Sequence, residues 1–160
     1  MAEQVLFVLT FVAAVGAGII GGVFYAFSTF VMRALGRLPA HEAVAAMQSI
    51  NIAVINPLFL GVFLGTAAAS LGAVVGSITR WQRPGAGYLL CGVLLYLVGT
   101  FGVTIASNVP LNNSLAAVSP GDAGAAAQWA SYMSRWTAWN HVRTAAAVGA
   151  MVLLVLSLRK

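Results

Sequence analysis

Acidic residues are nearly missing from this chain. Its 160 residues hold three Asp/Glu against eight Lys/Arg, and charged residues make up only 7% of the total. Charge is also absent in blocks: none falls between Gln4 and Met32, between Ala43 and Thr79, or between Pro84 and Gly121. With three carboxylates and two histidines, a carboxylate-bridged two-metal centre is not readily built. Cys91 is the single cysteine, which rules out an intrachain disulfide and a thiolate zinc site. Inside an apolar run, it is expected as a small buried hydrophobe. The net charge of +5 comes from scattered basic residues with no aromatic-interleaved patch. The electrostatic footprint of a nucleic-acid binder is therefore absent.

Apolar side chains fill the space. The chain is 61% hydrophobic with a mean hydropathy of +0.94, against roughly 45–50% apolar residues in soluble domains. About 20 apolar residues, at 1.5 Å rise each, cross the ~30 Å hydrocarbon core of a bilayer. The runs predict four spans, near 5–29, 53–78, 86–107 and 138–158. The expected fold is all-α: one integral membrane four-helix domain over 1–160, with the lipid bilayer as its immediate partner. Val5 to Val15 resembles the apolar part of a signal peptide. However, Glu3 stands where a basic flank belongs and the run continues well beyond, so a retained first span is expected.

The connections differ in character. Between spans 1 and 2, Ala43, Val44, Met47 and Ile50 recur at helical spacing after Leu38-Pro39, predicting an amphipathic interfacial segment. His41 beside Glu42 on that segment is expected to be solvated. The second connection holds Arg80, Trp81, Arg83 and Pro84-Gly85, a tight turn at the headgroup level. The third contains Asn108-Val109-Pro110-Leu111-Asn112, expected as a turn capped by side chains. A helical pattern then starts at Ala123, with Ser119 or Asp122 able to cap it. Four spans put both termini on one side, with Arg80, Arg83, Arg159 and Lys160. Arg33, Arg37, Arg135 and Arg143 lie toward the other side, and this slight bias places the termini in the cytoplasm.

Small residues recur four apart at Gly18-xxx-Gly22, Gly61-xxx-Gly65 and Gly72-xxx-Gly76. Such faces allow helix backbones to approach closely in lipid. They serve packing within the bundle first, and pairing of two copies into a homo-oligomer as an alternative. Gly16-Ala17-Gly18-Ile19-Ile20-Gly21 matches a dinucleotide fingerprint literally. It follows no strand and lies inside a span, so the match is false.

The scarce polar residues gather at one end of the bundle by topology. Tyr25 and Ser28 end span 1, and Asn51 and Asn56 open span 2. Asn108 and Asn112 follow span 3, and Asn140, His141 and Arg143 open span 4. Trp136, Asn140 and Arg143 share a helix face (i, i+4, i+7), while His141 is turned ~100° from it. A pocket between helices is the usual place for a ligand, here a hydrophobic small molecule. Arg143 needs an acceptor or access to the surface, and no acid lies within a span. Its candidate partners are backbone carbonyls, asparagines or an anionic ligand. Trp129, Trp136 and Trp139 fit an aromatic belt, but can also stack on a flat ligand. His141 can act as a base, a metal ligand or a helix residue held by hydrogen bonds. Haem on this one histidine is an alternative without supporting motif, and no cofactor is expected.

Four local patterns in this order resemble the anthrone-oxygenase-like family of small four-span membrane proteins. They are Phe24-Tyr25-Ala26-Phe27-Ser28, Asn51 through Asn56-Pro57, Asn108-Val109-Pro110-Leu111-Asn112, and Trp136-xx-Trp139-Asn140-His141-x-Arg143. The resemblance covers nearly the whole chain. It implies oxidation of an anthrone to an anthraquinone by molecular oxygen. His141 would then be the base, Trp136 and Trp139 would stack the rings, and Asn108, Asn112 or Asn140 would bond the oxyanion. A non-enzymatic role, holding a lipid or quinone-like molecule or scaffolding a partner, fits the same residues. Ion-coupled transport is harder to build without intramembrane acids.

Overall fold

Each apolar run forms one long helix, because backbone N–H and C=O groups in lipid must be satisfied within the segment. The computed structural model describes residues 2–79, 81–82 and 84–159. Arg80, Arg83 and Lys160, expected as basic anchors, lie outside the described residues.

Helix α1 runs Ala2–Ala26 and continues through a π-helical turn, Phe27–Val31, into Met32–Leu35. Helix α2 is Ala40–Ala53, entered from Pro39, and α3 is Pro57–Thr79. Helix α4 spans Ala86–Ala116 and contains π-helical stretches at Leu95–Gly102 and Thr104–Asn108. Helix α5 is Ala125–Leu158. Among the described residues there is no strand. Among the described residues, four helices are long and apolar enough to cross a membrane: α1, α3, α4 and α5. In the resulting square, α1 and α4 each pack on both α3 and α5.

Helices α1, α4 and α5 extend beyond the expected spans, whereas α3 starts at Pro57, a few residues after the expected 53. Helix α5 has 34 residues, about 50 Å at the α-helical rise, well beyond the ~30 Å core. The expected turn at Asn108–Asn112 is also helix. Pro110 is tolerated because it falls in the first turn of the α-helical part Val109–Ala116, where its missing N–H is least needed. Immediately before it, the Val109 N–H reaches back to the Thr104 carbonyl across a π-turn. Asn108 makes no side-chain cap there.

These extensions build a cap on one end of the bundle. Met32 and Leu35 of α1, Ala43, Val44 and Met47 of α2, and Leu111 and Leu115 of α4 bury against Trp129, Tyr132 and Trp136 of α5. The apolar stripe of α2 therefore meets protein within the cap. Gln48 of α2 ties the cap down by donating to the Leu115 and Val118 carbonyls at 2.9 and 2.8 Å, filling acceptors left open at the end of α4. His41 is exposed on α2, 3.8 Å from Glu42, as its sequence context suggested.

Within the spans, small residues set the helix separations. A Cβ on Gly16 would collide with Thr66 of α3, and one on Gly76 with Leu6 of α1. Gly72 likewise meets Leu9. The Gly72–Gly76 face thus packs α3 on α1 inside the bundle. Gly22, Gly61 and Gly65 face open space. Tyr96, fully buried, donates to the Phe63 carbonyl at 3.0 Å and links α4 to α3. Cys91 is exposed rather than buried, because its position turns to the outer side of α4. Gly85 has φ 90°, a left-handed conformation that lets the chain turn into α4.

Candidate functional site

At the junction of cap and bundle, Arg143 is 4% exposed. Moving a guanidinium toward the bilayer centre costs ~2.5–3.5 kcal/mol on insertion scales, so its surroundings must repay most of that. Its Nη2 donates to Asn140 Oδ1 at 2.7 Å and its Nη1 to Thr104 Oγ1 at 3.3 Å. Its Cζ lies 4.1 Å from the Phe24 ring centroid and 5.0 Å from that of Trp136. Two desolvated cation–π contacts can contribute about 2 kcal/mol each, and one short bond from a charged donor ~1.5–3 kcal/mol. The charge is thus held without a carboxylate. Glu42 and Asp122 are exposed, and Glu3 sits at the far end of α1.

Asn140 organises this neighbourhood. Fully buried, it donates through Nδ2 to the Phe24 carbonyl and to Ser28 Oγ, each at 2.8 Å. Ser28 lies 3.0 Å from Thr144 Oγ1, which itself donates to the Asn140 carbonyl. One step further out, Asn112 Oδ1 accepts from Tyr132 Oη at 2.9 Å and from Trp136 Nε1 at 2.8 Å. Asn108 Nδ2 donates to the Trp136 carbonyl at 3.2 Å. Trp129, Tyr132 and Trp136 stack in succession with centroids 5.7 and 6.3 Å apart, and Phe27 tilts against Trp136 at 5.6 Å. The π-turns carry Ser28, Thr104 and Asn108, a form of helix that recurs at functional sites.

Asn51 faces the Tyr132 hydroxyl as its hydrogen-bond partner. Among the described residues, Arg143 Nε and Asn108 Oδ1 in this cluster are buried without a hydrogen-bond partner, as is Thr137 Oγ1 beside Trp136 on α5. Leaving such a group unpaired costs ~1–3 kcal/mol each, and a native structure seldom concentrates several in one place. A groove of about 310 Å³ opens alongside, between the end of α4 and the start of α5. Leu111, Leu115, Val118 and Arg135 line it, together with Tyr132. A second groove of about 210 Å³ lies at the opposite end, among Leu6, Thr10, Ser77 and Leu89.

The structure thus gathers most of the residues read from the sequence: Ser28, Asn51, Asn108, Asn112, Trp136, Asn140 and Arg143. Four others stand apart. His141 is exposed on the outward side of α5, as its ~100° offset from the Asn140 face requires. Its side chain thus faces away from the residues gathered around Arg143. Tyr25 is 59% and Trp139 42% exposed, so Trp139 keeps the belt position while Trp136 is buried in the cap. Asn56 instead caps α3, accepting from the Leu58 and Phe59 amides at 3.1 and 3.0 Å. Phe24, quoted above only within a family pattern, belongs to the cluster, as do Thr104 and Thr144, which the sequence reading does not single out. Thr104 precedes Asn108 by four residues and Thr144 follows Asn140 by four, so helical spacing was the available signal. Among the described residues no three His, Cys, Asp or Glu side chains gather as a metal site.

A four-span helical membrane bundle with a sealed, carboxylate-free guanidinium beneath a capped end defines the class of protein. The sequence matches the anthrone oxygenase family over residues 53–153, the stretch that supplies α3, α4 and most of α5. The chain belongs to the anthrone oxygenase family. No curated protein and no solved structure is significantly similar to it.

Proposed function

We propose that the chain is a membrane-embedded oxygenase that converts a flat, anthrone-like phenolic aromatic to a quinone, with Arg143 as the oxyanion site. The observation that carries this reading is the buried guanidinium with its Nε free, set between Phe24 and Trp136. A low-dielectric donor of fixed position favours the form of a ligand whose charge collects on a ring oxygen. Loss of one methylene proton from an anthrone to the surrounding water or buffer base creates such an anion. Oxygen then adds at the methylene carbon. The two methylene hydrogens leave with one oxygen atom as water, and the other atom remains as the second quinone oxygen. The guanidinium and Asn140 stabilise the oxyanion, while the aromatic walls hold the rings.

Arg143 Nε and Asn108 Oδ1 have less than 1 Å² of exposed surface each, so a ligand must displace a neighbour to reach them. Tyr132 lines the groove and shares Asn112 Oδ1 with Trp136, which covers Arg143. The route inward runs past these two rings, from the cap. Holding a quinone-like molecule without turnover would use the same atoms, and oxygen consumption separates the two roles. With detergent-solubilised protein and an anthrone, Arg143→Gln is expected to lower oxygen uptake by about 100-fold, since one oxyanion donor is worth ~10²–10³ in rate. His141→Ala should stay within about twofold of the parent. Equal rates for the Arg143 variant and the parent would overturn the assignment.

A further inference from the structure

We infer that Asn108 is a specificity-determining residue: its Oδ1 accepts a hydrogen bond from a phenolic hydroxyl on the aromatic ligand bound at Arg143. The inference rests on the proposed site and adds to it the chemical pattern the ligand must carry.

Asn108 is 1% exposed, and its amide orientation is fixed, because Nδ2 donates to the Trp136 carbonyl at 3.2 Å. Turning the amide over would set its oxygen against that carbonyl oxygen. The Oδ1 atom is therefore held elsewhere, buried and without a donor. An amide oxygen can only accept, so the missing partner is an N–H or O–H. Arg143 Nε, also unpartnered, is a donor and needs an acceptor. The pair is met by a molecule with a hydroxyl as well as an oxo or oxyanion group. Thr104, Asn108 and Asn112 lie four apart on α4, and all three bond partners on α5. The oxygen of Asn108 is accordingly delivered to the same helix pair that presents Arg143. A site with a dedicated acceptor of this kind rejects an analogue whose hydroxyl is missing or capped, because the buried oxygen then stays unpaired. Methylation removes the donor and leaves the ring oxygen, so it isolates this one bond.

The test measures binding to the full chain in mild detergent by quenching of tryptophan fluorescence. A hydroxyl next to the keto group is engaged by its own carbonyl, whereas one a ring position further on is free. Both 1- and 2-hydroxyanthraquinone are therefore titrated, each beside its methyl ether and unsubstituted anthraquinone. At least one hydroxy isomer should bind about tenfold or more tightly than both its ether and the unsubstituted ring, the value of one buried polar group left unpaired. In Asn108→Leu the same compounds should fall within about threefold of one another. If neither isomer surpasses its ether in the parent protein, or if none of the compounds binds, the inference is overturned, whether or not the variant folds. Hydroxyl preference without oxygen uptake would remove the proposed reaction and leave this assignment standing. Uptake without preference would do the reverse.

Discussion

Asn140 is the residue whose loss should most disturb the junction of cap and bundle, and the size of the effect follows from its bonds. Replacing it by Ala removes two neutral bonds, to the Phe24 carbonyl and to Ser28, and the 2.7 Å bond from Arg143. At ~1 kcal/mol for each neutral bond and ~1.5–3 for the charged one, the cost is about 3–5 kcal/mol. Most of the charged part reflects a guanidinium left with a 3.3 Å contact to Thr104 and two aromatic faces. Arg143→Met removes the charge itself and leaves only Asn140 Oδ1 unpaired, costing about 1–3 kcal/mol. In the double variant no stranded charge remains, so the loss should be about 2–4 kcal/mol, less than the sum of the singles. The coupling of about 2–4 kcal/mol can be read from reversible SDS-driven unfolding in mixed micelles, followed by circular dichroism. Additivity within ~0.5 kcal/mol, the behaviour of independent sites, would refute the view that the Asn140 amide stabilises the buried arginine charge.

Two further substitutions probe the frame around the site. Gly16→Ala should destabilise the bundle by about 1–3 kcal/mol, because its Cβ meets Thr66, whereas Gly61→Ala, facing open space, should be neutral; equal effects in unfolding titrations would contradict the α1–α3 packing. Gln48→Ala removes both ties from α2 to the end of α4, for about 1–2 kcal/mol, and should speed amide exchange at Leu115 to Val118 while leaving mid-span amides protected.

The four spans were legible because their uncharged runs admit no other backbone arrangement in lipid. The grouping of Trp136, Asn140 and Arg143 was legible for a similar reason: i, i+4, i+7 spacing fixes a common face whatever the neighbours do. The same arithmetic already turned His141 away. The base role expected for that histidine rests on the family resemblance, which carries no information on the direction a side chain faces. The cap was hidden because helical runs rich in Trp, Tyr, Asn and Arg look interfacial by composition. Only packing of Met47, Leu115 and Trp129 into one cluster shows that protein, not headgroups, covers them. Asn56 and Tyr25 were drawn in by their place in the topology, which sets the end of the bundle a residue occupies and not the direction of its side chain. The Gly-xxx-Gly pairs divided in the same way, Gly72 and Gly76 against α1 and Gly61 and Gly65 outward.

The π-helical turns give chain length a meaning of its own. A π-turn accommodates one more residue than the α-turn it replaces, so deleting a single residue within Leu95–Gly102 or Thr104–Asn108 would relax that turn to ordinary helix. Residues beyond it would keep their side, whereas the same deletion in the ordinary α-helix Ala86–Leu94, with no such turn to absorb it, would swing everything beyond by about 100° and carry Asn108 and Asn112 off the side that meets α5. A descendant could therefore keep every identity in the polar set and still lose the set to one missing codon. Among relatives, spacing along α4 is as much a mark of a shared binding chemistry as the asparagines themselves.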